Sequence, residues 1–168
     1  MDLASFWNLI DQTRREANGD PEHQVELLRE RLSELESDEV VAFDRHFVQC
    51  HEQAYTWDLW GAAFVLGGGC SDDGFMDFRA WLISRGKRVY ETALEDADSL
   101  VWAVKASDGE CQLEEIQYVA AEAWEQITSL PADEFPEPVI ERKAEPDGQP
   151  WEEDELAERL PNLSRKFG

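Results

Sequence analysis

Residues 57–86, WDLWGAAFVLGGGCSDDGFMDFRAWLISRG, decide how the rest of the chain is read. The first part places Leu59, Ala62, Ala63 and Leu66 on one helical face, and Gly67, Gly68 and Gly69 then supply the left-handed backbone that stops a helix. Ser71 predicts the N-cap of a second helix over 72–84: its hydroxyl accepts an orphan backbone N–H, and Asp72 and Asp73 complement the positive helix end. Phe75, Phe78 and Leu82 share one face of that helix, and Gly86 closes it. A helix, a glycine turn and a helix so rich in aromatic residues predict core, and also the first place to look for a site.

Towards the N-terminus, Leu3, Phe6, Ile10 and Ala17 follow helical spacing, and Asn18-Gly19-Asp20-Pro21 stops one helix and starts another. Val25, Leu28, Leu32 and Leu35 then share a face while Glu22, Glu26, Glu30 and Glu34 point away, which predicts an amphipathic surface helix. Ser37 ahead of Asp38 and Glu39 suits a capped start, and Val40, Phe43, Phe47, Cys50 and Ala54 repeat the three-four spacing over four turns. After Gly86, Val89, Tyr90, Ala93 and Leu94 predict a short helix. Leu100 to Val104 has no second strand to pair with and is read as a helical turn. Ser107-Asp108-Gly109 is a turn, and Ile116, Val119, Ala120, Ala123 and Ile127 define a last helix over 111–128. The expected fold is all-α: a compact single domain of about six helices over residues 1–130.

Beyond Leu130 the character changes. Six of the seven prolines fall between Pro131 and Pro161, and eleven acidic residues between Asp133 and Glu158 face only Arg142 and Lys143. Such a segment holds too little apolar surface to offset its ordering entropy, so residues 131–168 are expected to form an extended acidic tail. Phe135, Val139, Ile140 and Trp151 are candidates to lie along the domain, with a transient helical turn over 156–163.

The chain carries 15 basic against 38 acidic residues, a formal net charge of −23. That argues against nucleic acid as a partner, because phosphate binding requires a basic surface, and leaves a basic protein as a possible one beside the plainer reading of a solvated acidic surface. No run of 18 apolar residues and no basic-then-apolar leader is present, so neither a membrane span nor a signal peptide is expected. Cys50, Cys70 and Cys111 are odd in number and form no C-x-x-C pair, which suits reduced thiols and a cytoplasmic protein.

The glycine triplet resembles a phosphate cradle only superficially, since the helix after it begins with Asp72 and Asp73, which repel phosphate, and no Gly-Lys-Ser/Thr follows. Asp72, Asp73 and Asp77 are weak candidates for a divalent cation, against the plainer role of complementing the helix dipole. His46 and Cys50 stand one turn apart with His51 adjacent. No third or fourth zinc ligand accompanies them, and His46 and His51 remain weak candidates for an acid or base at neutral pH. Arg79, Arg85, Lys87 and Arg88 form a local basic exception that either pairs with Asp72, Asp77 or Glu91 or receives a ligand anion. Trp60 and Trp81 would wall such a pocket, although aromatic residues at this spacing are more often core. Asp72, Asp73, Trp60, Arg79 and Trp81 are thus the candidate ligand-binding set, and no cofactor is expected.

Phe6 to Ile10 in the first helix, the D-L-W-x-A-A segment, the G-G-x-S-D-D-x-F-x-x-F-R-x-W-L-I-x-x-G core and Tyr118 to Trp124 together resemble an uncharacterised, mostly actinobacterial family of the domain-of-unknown-function type (DUF4240). The resemblance covers most of residues 1–130 and implies a small, mainly helical domain. It implies no activity, substrate or catalytic residue. The leading expectation is a non-enzymatic adaptor or immunity-like regulatory protein acting on a basic protein partner. The alternative is a small enzyme or ligand-binding protein, possibly metal-dependent, with a His/Asp pocket between the glycine turn and the third helix.

Overall fold

The computed structural model describes residues 1–105 and 108–168. The fold is all-α, as expected. Among the described residues there is no strand, only an isolated bridge between Thr56 and Asp147. Instead of about six helices there are, among the described residues, nine α-helices and four short 3-10 turns: α1 (Leu3–Glu16), α2 (Pro21–Ser33), α3 (Ser37–Gln53), α4 (Trp57–Gly67), α5 (Asp72–Ser84), α6 (Lys87–Glu95), a 3-10 turn (Ala97–Trp102), a second (Glu114–Tyr118), α7 (Val119–Thr128), two more turns (Ala132–Glu134 and Glu153–Glu155), α8 (Leu156–Arg159) and α9 (Pro161–Phe167).

Local chemistry explains most boundaries. Asp2, Asp20, Thr56 and Ser71 cap α1, α2, α4 and α5 through side-chain oxygens that accept backbone N–H groups. Gly68 and Gly69 take positive φ and end α4, whereas Gly67 remains helical. Ser37 is the first residue of α3 rather than its cap; Glu36 holds the cap position, without a side-chain hydrogen bond. The helix expected over 111–128 is divided, because Cys111 sits at φ 57 and residues 114–118 wind as a tight 3-10 turn. The apolar run at 100–104 is helical but starts earlier, as a 3-10 turn capped by Asp96. Of the turn expected at Ser107-Asp108-Gly109, Ser107 lies outside the described residues, and Gly109 has φ 64.

α5 is the hub. It packs against α1, α2, α3, α4 and α6, and Phe75 together with every residue from Phe78 to Ser84 is buried. The second half of α5 is buried on every side and therefore sits inside a ring of other helices, while its first turn remains exposed. An aromatic row runs through this hub: Trp57 to Trp60 at 5.5 Å, Trp60 to Phe75 at 5.0 Å, Phe75 to Phe78 at 6.2 Å and Phe78 to Trp81 at 5.8 Å.

The extended tail is the main correction. Phe135 is buried edge-on against Trp124. Residues 136–152 run without helix, with Val139 fully exposed, and are tied down midway. There the Trp57 N–H donates to the Asp147 carbonyl (2.9 Å) and the Asp147 N–H to Tyr55 (3.0 Å). Trp151 then donates from Nε1 to the Trp57 carbonyl at 2.7 Å. Leu156, Leu160 and Leu163 belong to the same buried cluster as the helices before them. Gly61 on α4 makes room for this: a Cβ there would stand 3.0 Å from Leu156 Cδ2 and 3.3 Å from Leu160 Cδ1. The segment is poor in apolar residues on average, but Phe135, Leu156, Leu160 and Leu163 fall where the helices before them leave room, while Val139, expected to lie along the domain, does not.

Candidate functional site

α3 presents Asp44, Phe47, Val48 and His51 along one stripe, at helical steps of three and four. This stripe forms the floor of a cleft of about 540 Å³. Met76 and Arg79 of α5 form one wall, and Gln117, Tyr118 and Ala121 another. Phe135, Glu137, Pro138 and Arg142, from the segment after α7, complete it.

Arg79 is almost wholly buried. It donates from Nη1 to the His51 carbonyl at 2.9 Å and lies 4.7 Å over the Tyr55 ring and 4.8 Å over Phe75. Burial lowers its pKa to about 10, so it stays charged and anchors the negative C-terminal end of α3. His51 Nε2–H donates to the Met76 carbonyl at 2.8 Å, which leaves Nδ1 as the ring's acceptor. Burial first, and then the Arg79 charge, push its pKa down to about 4, so His51 is neutral at physiological pH.

The carboxylates are balanced unequally. Glu52 is engaged, accepting the Lys143 backbone N–H at 2.6 Å and pairing with Arg142 at 3.5 Å. Asp44, half-buried, has no ion pair or hydrogen bond among the described residues. Its pKa is pushed up to about 6 by burial and by the charge of Glu137, against the opposing pull of Arg142. The cleft therefore holds an under-compensated negative charge at Asp44 and Glu137.

Of the side chains expected at a site, His51 and Arg79 meet in this cleft; the others do not line it. His46 is five residues from His51, which turns it to another face of α3, where its Nε2 lies 3.1 Å from the Met1 carbonyl. Asp72 and Asp73 are exposed at the start of α5, and Asp77 accepts a hydrogen bond from Gln117 at 3.0 Å. Among the described residues no group of three His, Cys, Asp or Glu side chains could hold a metal ion. Trp60 donates to the Cys70 carbonyl at 3.0 Å within the aromatic row, and Trp81 is buried in the core. Arg79 and Arg85 form no ion pair with Asp72, Asp77 or Glu91 among the described residues, contrary to the expected internal pairing. Sequence reasoning missed Asp44. Its only signal was a lone carboxylate beside Phe43 and Phe47 on the apolar side of α3, a pattern that becomes informative only when the opposite wall is known.

The three cysteines are unpaired, and burial raises the pKa of Cys50 and of Cys70 to about 11 and of Cys111 to about 12, so none is a ready nucleophile. No described helix is long and apolar enough to cross a membrane. Comparison with known proteins matches residues 1–126 to the family model described as a protein of unknown function (DUF4240). No curated protein and no solved structure matches the chain.

Proposed function

Because the chain belongs to the DUF4240 family, whose function is unknown and which supplies no activity to carry over, we propose from its cleft that it is a cytoplasmic, non-catalytic binding protein that acts on a basic protein partner. The partner places a lysine or arginine side chain between Asp44 and Glu137. The observation that carries this reading is Asp44: a half-buried carboxylate with no ion pair among the described residues, held near a pKa of 6 by burial and a like charge that outweigh the more distant Arg142. Such a group costs stability when ionised, and a cation docked against it removes the cost. The excess of 38 acidic over 15 basic residues would steer a basic partner towards the chain. Three unpaired thiols suit a reducing compartment.

A binding role also suits the neutral His51, whose Nε2 is committed to Met76 and whose low pKa makes it a weak base. The test is calorimetric titration with oligolysine and oligoarginine peptides at low salt, comparing the native chain with Asp44→Asn/Glu137→Gln. Native binding is expected to weaken as pH falls through about 6, and the double variant to lose most of the affinity and all of that pH dependence. Equal affinity and equal pH profiles in both proteins would remove the cleft from the proposal.

A further inference from the structure

A second cleft, of about 550 Å³, has the opposite electrostatic character. Arg14 from α1, Arg85 at the end of α5 and Arg88 at the start of α6 line it with a single carboxylate, Asp11, and Trp102 stands at its rim. Three guanidinium groups in one cleft reverse the sign of a chain whose net charge is −23.

None of the three is neutralised by a close carboxylate. Arg85 donates to Ser84 Oγ at 3.1 Å, the Gly19 carbonyl at 3.0 Å and Gln24 Oε1 at 2.8 Å, all uncharged groups, so it is held rigidly and keeps its full charge. Arg14 has only a long contact to Asp11, at 3.8 Å, and its buried Nε has no hydrogen-bond partner among the described residues. Arg88 is exposed and forms no ion pair among them. Gly86, at φ 100, is what allows these groups to crowd together: a Cβ there would stand 2.3 Å from Asp11 Oδ1 and 3.3 Å from Arg14 Nε. It is also the N-cap of the nine-residue α6 and offers no side chain to the free N–H groups of the first turn. Trp102 is 85% exposed, whereas Trp7, Trp81 and Trp124 are buried and Trp57, Trp60 and Trp151 are partly buried.

We propose that this cleft binds a small phosphate monoester carrying a planar ring, of the nucleoside monophosphate type. The phosphate is held by Arg14 and Arg88, whose planar forks match its oxygens, at the positive end of α6. The ring stacks on the exposed indole of Trp102. The volume lies in the usual range for small-molecule sites. A nucleic-acid polymer does not fit this chemistry, because it would have to run past the cleft onto acidic surface; a single small anion meets three arginines against the one carboxylate of Asp11.

Calorimetric titration of the full chain with adenosine monophosphate, adenosine and inorganic phosphate tests this. The monophosphate is expected to bind more tightly than either fragment. Arg88→Gln should weaken both monophosphate and phosphate by roughly tenfold, the size of one lost charge-assisted hydrogen-bonded contact. Trp102→Ala should weaken the monophosphate while leaving phosphate unchanged. Both side chains are exposed, so thermal melts of the two variants should match the native chain and separate lost binding from lost fold. Absence of monophosphate binding in the millimolar range, phosphate affinity equal to that of the monophosphate, or affinities unchanged in both variants would each overturn the assignment.

Discussion

The helices α1 to α7 and the segment after Leu130 bury side chains in one core by different means. In the first region regular apolar spacing organises the helices before they pack, helped in α1, α2, α4 and α5 by side-chain caps. In the second, a strap of seventeen residues, 136–152, carries no helix, and two short helices follow that are too small to persist alone. Their order comes from the partner surface. The carboxylate of Asp98, itself buried, accepts the Leu163 N–H at 2.8 Å and both the N–H (3.1 Å) and the side-chain amide (2.7 Å) of Asn162. A side chain 64 residues away therefore caps α9, where Leu160, the residue at the cap position, offers no side-chain hydrogen bond. The lesson is that composition predicts whether a segment can fold by itself, not whether a neighbour will fold it.

The sharpest way to break the comparison is to remove the second region. A chain ending at Leu130 loses the burial of Phe135, Leu156, Leu160 and Leu163, at about 1.5–3 kcal/mol for each fully buried apolar side chain. Urea unfolding is expected to show a loss of several kcal/mol, and calorimetry a loss of the proposed Asp44-dependent binding, because the removed segment supplies Phe135, Glu137 and Arg142 to that cleft. Full stability in the shortened chain would mean that the strap is held by the domain without supporting it.

A point change tests the same contact more gently. Asp98→Ala leaves the α9 N–H groups and the Asn162 amide without their acceptor and should cost roughly 2–3 kcal/mol, the usual cost of orphaning buried groups bound to a charge. Hydrogen exchange should localise the loss to residues 156–167. Protection lost evenly over α1 to α7 instead would show that the two regions unfold as one.

The smallest effect concerns the cleft where the regions meet. Asp44 has its folded pKa raised from 3.8 to about 6, so the folded state holds the extra proton between these values and stability falls as pH rises through that window. Asp44→Asn is expected to stabilise the chain at pH 7 by roughly 1–2 kcal/mol, with the gain disappearing as pH drops towards 3.8. His51 acts with the opposite sign. Its folded pKa is lowered from 6.5 to about 4, so the stability it contributes is present above 6.5 and is lost as pH falls through the window. Thermal melts of the Asp44 variant should therefore fall more steeply with acid than those of the native chain, and parallel curves would mean that Asp44 is already compensated.

The local signals were legible. Three-four spacing located Phe6, Ile10, Val25, Leu28, Val40, Phe43, Phe47, Phe75 and Phe78, all of which are buried, and Ser71, Gly68 and Gly69 punctuate the chain as their chemistry requires. The candidate site was legible only in part. His51 and Arg79 were singled out by residue type, but a helix face becomes a cleft wall only when something stands opposite.

Taken alone, the sequence determined the all-α class, the helices from α1 to α6 and the excess of negative charge, because each of these depends on neighbours within a few residues or on a simple sum. Tertiary structure alone decided that Asp44 and Glu137 share a cleft, that Arg14 joins Arg85 and Arg88, and that the acidic segment after Leu130 lies down on α4. Those outcomes depend on contacts between residues 60 to 100 positions apart, whose free energy appears only when both partners have lost water together.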